Sequence, residues 1–254
     1  MAMKTFWFDG RSAAEFGISI SGSETFNAAE RDVETVSIPG RNGDLIVDKG
    51  RYKNVPVSYP ASICEDFAAN AEAARAWLGS RVGYCRLEDD YDPEHFRLAR
   101  FQGPLSFTPG FLNKTAEATI RFDCKPQRFL RSGEEPIPLE LNGITNVNNF
   151  TSFPATPLIK VKCSEDFTVT IDKPTVLPAG IGVRKVDGRD SFIVDTETMR
   201  VYSPGLVNVY PDTYITGTLV DGLPLLPGAN LVEVRCSVEG ALQEAQIIPR
   251  WWTL

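Results

Sequence analysis

One stretch of the chain combines two turn signals with a cation and an anion: Ile38-Pro39-Gly40-Arg41-Asn42-Gly43-Asp44. Pro-Gly and Asn-Gly favour tight turns, because glycine and asparagine tolerate a positive φ. A phosphate site would need a lysine and a helix start beside the glycines, and neither follows here. The segment is either a solvated hairpin tip or a contact with another subunit, with Arg41 and Asp44 as the pairing charges. The candidate interface residues are Pro39, Gly40, Arg41, Asn42, Gly43 and Asp44.

The single histidine, His95, follows the acidic run Asp90-Tyr91-Asp92-Pro93-Glu94. His95 stands where an EF-hand needs glycine, and no glutamate closes the loop, so we interpret the run as an exposed acidic turn. A Ser-His-Asp arrangement around His95 has no further support, and the sequence has no Gly-x-Ser-x-Gly motif. The sequence predicts that the protein is not an enzyme and needs no cofactor.

Five cysteines are widely spaced and form no Cys-x-x-Cys pair: Cys64, Cys85, Cys124, Cys163 and Cys236. A zinc site needs clustered Cys or His ligands, so no metal site is predicted. The pattern favours buried thiols in a reducing cytoplasm. Gly180-Ile181-Gly182 is followed by Lys185 where a dinucleotide fingerprint places glycine, which argues against nucleotide binding.

A set of aromatic residues could stack on sugar rings if they were exposed: Phe150, Phe153, Tyr210, Trp251 and Trp252. Aromatic residues of this kind more often fill a sandwich core or an interface. A carbohydrate-binding module that recognises the host cell wall therefore stays open as an alternative function.

The formal net charge is -7. The cations of Arg97-Leu98-Ala99-Arg100 are too sparse for the basic footprint of a protein that binds phosphate backbones tightly. The first residues do not have the pattern of a secretory signal peptide, and no apolar run is long enough for a membrane span. These features predict no membrane association and no specific binding of DNA.

Most of the chain has the pattern of short strands. Val33 to Val47 is typical of a hairpin or a long loop, with the Pro-Gly and Asn-Gly turns at its centre. From Glu65 to Ser80, apolar residues recur at helical spacing, which predicts one amphipathic helix capped by Ser62 or Asp66 and ended by Gly79.

The segment Lys125 to Pro138 has three prolines, a glycine and five charges, which is typical of a linker. Beyond it, β-rich runs alternate with turns and show no helical pattern, which indicates an antiparallel sandwich or barrel. The sequence therefore predicts a mainly β protein with two domains, residues 1–133 with one helix and residues 134–254 as a β-sandwich.

An ordered set of short sequence pieces resembles the distal tail proteins of siphophages. The pieces are Phe8-Asp9-Gly10, Glu15-Phe16-Gly17-Ile18, Ile38 to Leu45, Gly50 with Tyr52-Lys53-Asn54, Leu87 to Tyr91, Arg97-Leu98-Ala99, Phe122 to Pro126, Asn149 to Pro154, Val194-Asp195-Thr196, Val201-Tyr202, Leu226 to Asn230 and Pro249 to Trp252. They span nearly the whole chain, and their order at this total length carries the resemblance.

The resemblance implies a structural virion protein at the tip of a long non-contractile tail, made in the cytoplasm of the bacterial host. The first domain of such proteins builds a hexameric ring around a channel for DNA and the tape-measure protein, and DNA passes through it without specific binding. The second is a galectin-like β-sandwich. The implied partners are other copies of the chain, the tail tube protein, a tail-tip or tail-lysin hub and receptor-binding proteins.

Overall fold

The computed structural model describes residues 3–64, 66–110, 114–172, 179–184, 188–204, 213–216 and 222–254. The chain divides into two compact units, Met1–Arg128 together with Leu254, and Phe129–Thr253. Each unit has its own cluster of buried apolar side chains. The sequence placed the division slightly later, between residues 133 and 134.

The first unit is built mainly from antiparallel strands. Their bounds are β1 Phe6–Phe8, β2 Arg11–Ser12, β3 Ile18–Ile20, β4 Arg31–Val36, β5 Leu45–Tyr52, β6 Val55–Ile63, β7 Cys85–Asp89, β8 His95–Phe101, β9 Phe107–Pro109 and β10 Ala116–Leu130, with a 3-10 helix at Ala13–Phe16. The main sheet has the order β2-β1-β7-β8-β10-β6-β3, and β9 also pairs with β10. Strands β4 and β5 form a separate two-stranded sheet.

The sequence predicts a helix where the structure has α1, Phe67–Gly79. Its buried residues are Ala71, Ala74, Trp77 and Leu78. Of the two expected N-caps, Ser62 lies within β6, and Asp66 holds the cap position without a side-chain hydrogen bond. Asp66 has a left-handed backbone, with φ 44° and ψ 43°, whereas a capping side chain bonds from an extended backbone. Glu65 lies outside the described residues.

Aromatic side chains form the centre of the first core. Phe6 stacks on Tyr59 with ring centroids 5.0 Å apart, and it meets Phe122 edge-on at 5.6 Å. Phe16 stacks on Trp77 of α1 at 4.6 Å. Such pairs contribute about 0.5–1.5 kcal/mol each beyond their buried area. The core therefore fixes α1 against the main sheet, whose strands β7 and β8 carry the buried charges described below.

None of the described helices combines the length and the apolar composition that a membrane span needs.

The division between the two units falls within the predicted linker, Lys125 to Pro138, but most of this segment has regular secondary structure. Strand β10 continues to Leu130, a 3-10 helix follows at Arg131–Glu134, and β11 begins at Ile137. Most side chains at the end of β10 are neither fully buried nor fully exposed, so they show no clear alternation of apolar and polar residues. Because alternation is the main sequence signal of a strand, this stretch could not be identified as one.

The second unit consists of two antiparallel sheets. Its strands are β11 Ile137–Pro138, β12 Ile144–Asn149, β13 Leu158–Cys163, β14 Phe167–Asp172, β15 Ala179–Val183, β16 Ser191–Asp195, β17 Arg200–Tyr202, β18 Thr213–Thr216, β19 Gly228–Cys236, β20 Leu242–Ile248 and β21 Trp252–Thr253. One sheet has the order β11-β20-β13-β16-β17, and the other β12-β19-β14-β15-β18. Buried residues of both, such as Val161 and Val234, share one core. The predicted mainly β fold with an antiparallel sandwich is confirmed.

Candidate functional site: an exposed β-hairpin

Strands β4 and β5 form a hairpin, as the sequence pattern predicts, and no third strand joins it among the described residues. Val36 pairs with Leu45 at the distal end, and Arg31 pairs with Tyr52 at the base. Every residue from 34 to 51 is exposed. An isolated two-stranded hairpin is only marginally stable in water. The contacts at its base are therefore important for its stability.

Ion pairs hold the base of the hairpin. Asp32 is buried and accepts a hydrogen bond from Arg51 over 2.8 Å, while the Lys49 ammonium lies 3.8 Å from its other oxygen. On the neighbouring position, the Arg31 guanidinium lies 2.7 Å from the Asp48 carboxylate. Each pair joins β4 to β5. The base is thus cross-linked by charges, and the distal end is left free of such pairs among the residues that the structure describes.

The tip has the turn that its dipeptides predict. The Arg41 N–H donates to the Ile38 carbonyl oxygen over 3.1 Å, and Gly40 has a φ of 81°. Proline at the second position and a glycine with positive φ at the third define a type II turn, so Pro39 and Gly40 stand where their conformations fit. Gly43 also has a positive φ, 80°. A side chain at either glycine would be strained.

The tip exposes Arg41, Asn42 and Asp44, and neither charged residue forms a salt bridge within the described part of the chain. Over residues 31–52 the cations balance the anions: Arg31, Arg41, Lys49 and Arg51 against Asp32, Glu34, Asp44 and Asp48. The hairpin is therefore neutral, whereas the whole chain has a net charge of -7. A neutral element repels a second copy of the chain less than an acidic one does.

Apolar side chains concentrate on the distal half of the hairpin. Val36, Leu45 and Val47 lie on one face, because Val36 pairs with Leu45 and residues two apart on a strand share a face. Ile46 lies on the opposite face and is 66% exposed. Ile38, beside the turn, is also exposed. Exposed apolar edges invite strand pairing and aggregation unless a partner covers them. The distal half of the hairpin is therefore the candidate contact surface.

A buried guanidinium holds the segment that leads into the hairpin. Arg97 of β8 is 2% exposed and donates to the carbonyl oxygens of Thr25 at 3.0 Å and Asn27 at 2.8 Å. It also donates to the Pro126 carbonyl oxygen at 3.3 Å. Strand β4 begins shortly afterwards, at Arg31. In the sequence, Arg97 was considered only as part of a tract too sparse to bind phosphate backbones. The alternation in β8 puts Arg97 on the same face as the buried Ala99.

The prediction of an exposed acidic turn before His95 is wrong for Asp92. Its carboxylate is buried, with the Arg128 guanidinium at 2.5 Å and the His95 ring nitrogen at 2.8 Å. Asp89, just before the turn, is also buried and accepts a hydrogen bond from the Tyr59 hydroxyl over 2.8 Å. Buried carboxylates need such partners to offset the loss of water. Among the described residues, no group of acidic, Cys and His side chains is arranged to hold a metal ion.

The buried Asp92 carboxylate gives a testable prediction for the stability of the fold in acid. Burial acts to raise the pKa of Asp92, but hydrogen bonds from Arg128 and His95 outweigh it and hold that pKa below its ordinary value of 3.8. Because the folded-state pKa is depressed, the contribution to stability is complete above the unfolded-state pKa and is lost as pH falls through the folded value. We expect the urea midpoint to fall steeply below about pH 4.

The matched variant is Asp92→Asn, which cannot titrate at this position. Urea unfolding measured between about pH 7 and pH 2 should show a lower midpoint for the variant at neutral pH and a shallower decline in acid. An equally steep decline in both proteins would assign the acid sensitivity to other carboxylates.

The aromatic residues considered for sugar binding mostly pack against each other. Trp251 is buried at 3% exposure, and Trp252 stacks on Phe153 with ring centroids 4.5 Å apart. Phe150 is exposed and contacts the Trp251 ring at 5.6 Å. Tyr210 lies outside the described residues. These contacts favour the structural interpretation of the set.

Tyr214, an aromatic residue beside a groove in the second unit, also has contacts within the protein. A groove of about 710 Å³ lies where β14 begins and β19 ends, and Tyr214 is one of its lining residues. The Tyr214 ring packs against the backbone of Gly182, where no Cβ would fit, and the Arg184 guanidinium lies 5.1 Å from the ring centroid. The ring therefore has contacts within the protein that would compete with stacking on a sugar.

Solved structures share this architecture. The crystal structure of the Dit protein (gp 19.1) of phage SPP1 is similar over 100% of both chains, with a TM-score of 0.74 and 14% sequence identity. The chain has the fold of a phage distal tail protein. The SPP1 protein is described as a paradigm of the hub adsorption apparatus in phages that infect Gram-positive bacteria. The resemblance seen in the ordered sequence pieces is confirmed at the level of the distal tail fold.

Two structures of the phage P2 baseplate in its activated conformation contain the same fold. The structure with Ca gives a TM-score of 0.56 at 8% identity, and the structure with Sr gives 0.57 at 9%, each over 97% of both chains. Comparison with protein-family models and with curated protein sequences gave no match. The distal tail fold therefore persists here where sequence identity has largely been lost.

Proposed function

We propose that the protein is a structural component of a phage virion that forms a hexameric ring at the distal end of a long non-contractile tail. The observation that carries the proposal is the hairpin of residues 31–52, which is neutral, exposed from residue 34 to 51 and apolar at its distal half. In the ring, the hairpin of each copy contacts the next copy. A head-to-tail contact of this kind closes into a ring when its rotation closes.

The tail position is supported by the fold shared with the SPP1 Dit protein and the phage P2 baseplate. In this proposal residues 1–133 build the ring and residues 134–254 offer docking surfaces outside it. The partners are the tail tube protein, a tail-tip or tail-lysin hub and receptor-binding proteins. The role requires no catalytic group.

The net charge suits a channel for DNA. Each copy carries a charge of -7, so a ring of copies repels the phosphate backbone and lets DNA pass without specific binding. The packed aromatic residues of the second unit disfavour the alternative of a carbohydrate-binding module.

Substitution of Arg41 tests the contact at the hairpin tip. The guanidinium presents a planar fork that can bind a carboxylate of the next subunit through two hydrogen bonds. Arg41→Ala should weaken each interface by about 2–5 kcal/mol if that pair is desolvated, and by about 0–1 kcal/mol if it is exposed. Ring abundance in electron micrographs of the purified protein measures the effect.

Arg41→Lys is the control, because it keeps the charge and removes the fork. We expect rings to be fewer than in the wild type and more numerous than in Arg41→Ala, with all three proteins melting at the same temperature. Unchanged ring abundance in Arg41→Ala would leave the tip as a solvated turn.

A further inference from the structure

Two cysteines of the second unit occupy equivalent places on opposite sheets. Cys163 is the last residue of β13, and Cys236 is the last residue of β19. Buried residues alternate along each strand, and this alternation puts both cysteines on the inner face of the sandwich. Cys163 belongs to the core, and Cys236 packs against it. The two cysteines therefore face the same core from its two layers.

Backbone contacts bring the two strand ends together. Cys236 is the cross-strand partner of Phe167, which begins the strand after Cys163. Ser164 directly follows Cys163, and its N–H donates to the Ala241 carbonyl oxygen over 3.0 Å. These contacts join the link that follows Cys163 to the link that follows Cys236. Burial and the neighbouring Cys236 thiol both raise the pKa of Cys163, as expected for two thiols that share this corner of the core.

Solvent reaches one of the two sulfurs. Cys163 is fully buried at 0% exposure, whereas Cys236 is half-buried and lines the groove of about 710 Å³. Burial raises the pKa of Cys163 to about 11. The accessible thiol can react with a soluble disulfide, and the buried thiol is placed to complete the bond.

We propose that Cys163 and Cys236 form a disulfide that joins the two sheets of the sandwich when the folded protein meets a small-molecule disulfide such as oxidised glutathione. The chemistry depends only on the second unit. Its biological setting rests on the proposed function, because a virion leaves the reducing cytoplasm in which the chain is made.

The reaction is two successive thiol–disulfide exchanges. The Cys236 thiolate attacks one sulfur of oxidised glutathione, forms a mixed disulfide and expels one glutathione thiolate. The Cys163 thiolate then attacks the Cys236 sulfur and expels the second. Two protein thiols are oxidised by two electrons, and one oxidised glutathione becomes two reduced glutathiones, which take up the two protons that the protein thiols release.

The bond would close a loop of about 70 residues, which restricts the unfolded chain strongly. We expect the melting temperature of the second unit to rise by roughly 10 °C. Because the thiolate is the attacking species, closure should be about tenfold faster for each pH unit between about pH 7.5 and pH 9.5, below the pKa of Cys163.

The test treats the full-length folded protein with oxidised glutathione, traps remaining thiols and identifies cross-linked peptides by mass spectrometry without reduction. The expected product is one peptide pair joining Cys163 to Cys236, lighter by two hydrogens than the separate peptides. Cys236→Ser should abolish it, whereas Cys64→Ser, which removes an exposed thiol in the other unit, should not.

A stable glutathione adduct on Cys236 without closure would overturn the proposal, and so would predominant cross-links to other cysteines. Cys163→Ala supplies a second arm: this variant should stop at the mixed disulfide on Cys236. Because the assay uses the isolated protein and counts no rings, its outcome is independent of the test of ring formation with Arg41 variants.

Discussion

Replacing Leu45 and Val47 together with lysine is expected to abolish ring formation while the chain stays folded. Both side chains lie on the exposed apolar face of the hairpin, so their loss costs the isolated chain little. Lysine is well tolerated on exposed strands, and at position 47 it would stand opposite Glu34, where opposite charges are favourable. The physical effect falls on the interface, where the apolar contact is replaced by charges that must be desolvated.

The expected magnitude is large. Burying a side chain such as Leu or Val contributes about 1.5–3 kcal/mol. Losing two per interface weakens each contact by about 4 kcal/mol, which is roughly a thousandfold in the dissociation constant. The measurement is light scattering across a range of concentrations, with electron microscopy of the same samples. Thermal melting confirms that the variant is folded.

The matched control is Met3→Lys with Val82→Lys, which adds the same charge at two exposed apolar positions away from the hairpin, 75% and 96% exposed. Both double variants change the net charge from -7 to -5, since -7 + 2 = -5. A lower net charge favours association, so a loss of rings only in the hairpin variant points to the local contact. Rings that survive Leu45→Lys with Val47→Lys would contradict the role proposed for this face.

Arg97→Met is expected to destabilise the first unit more than any surface substitution. The guanidinium donates to carbonyl oxygens of Thr25, Asn27 and Pro126, and methionine removes the donor from all three. Of the three residues, Thr25 is buried. Each carbonyl oxygen that is buried and loses its donor costs about 1–3 kcal/mol, so the combined loss is about 3–5 kcal/mol. For a unit of this size, the melting temperature should fall by roughly 10–20 °C. Differential scanning calorimetry of the full chain measures the change.

Arg100→Met on the same strand is the control, because the Arg100 side chain is 57% exposed and pairs with Asp123 at 2.8 Å. An exposed pair contributes about 0–1 kcal/mol, so we expect a shift of only a few degrees. Equal shifts for the two variants would mean that Arg97 contributes no more than a surface arginine. A folded Arg97→Met protein should also form fewer rings, since the segment entering the hairpin loses its support.

Strand β6 has the alternation of a half-buried strand, but its prolines made that alternation hard to recognise in the sequence. Val55, Val57 and Tyr59 are buried in strict alternation, while Pro56 and Pro60 point outwards. Proline lacks an N–H donor and usually marks an edge strand or the end of one. Here β6 lies between β10 and β3. The alternation of apolar residues was present in the sequence, and the prolines concealed it.

The hairpin divides into a predictable part and an unpredictable part. The turn at Pro39-Gly40 follows from local backbone preferences, which depend on residue type alone. The exposure of Leu45, Ile46 and Val47 does not, because an apolar run in a sequence is equally typical of a buried strand. Only the tertiary structure distinguishes a covered strand from an uncovered one, and that difference defines the candidate interface.

The buried charges were the least predictable feature. Asp92 and Arg128 meet at 2.5 Å although they lie far apart in the chain. Polar residues in a turn are normally solvated, and their burial depends on partners that only the fold brings together. The resemblance to distal tail proteins predicted more of the fold than these local patterns could.

The type II turn at the hairpin tip has a kinetic consequence for assembly. Pro39 already has its φ fixed by its ring, and Gly40 already holds the positive φ that the turn requires. The tip therefore loses little conformational freedom when it meets a neighbour, and shape that exists before binding reduces the entropic cost of association. Joining of copies in the proposed ring then requires no refolding step, and its pace is set by how often two subunits collide in the right orientation.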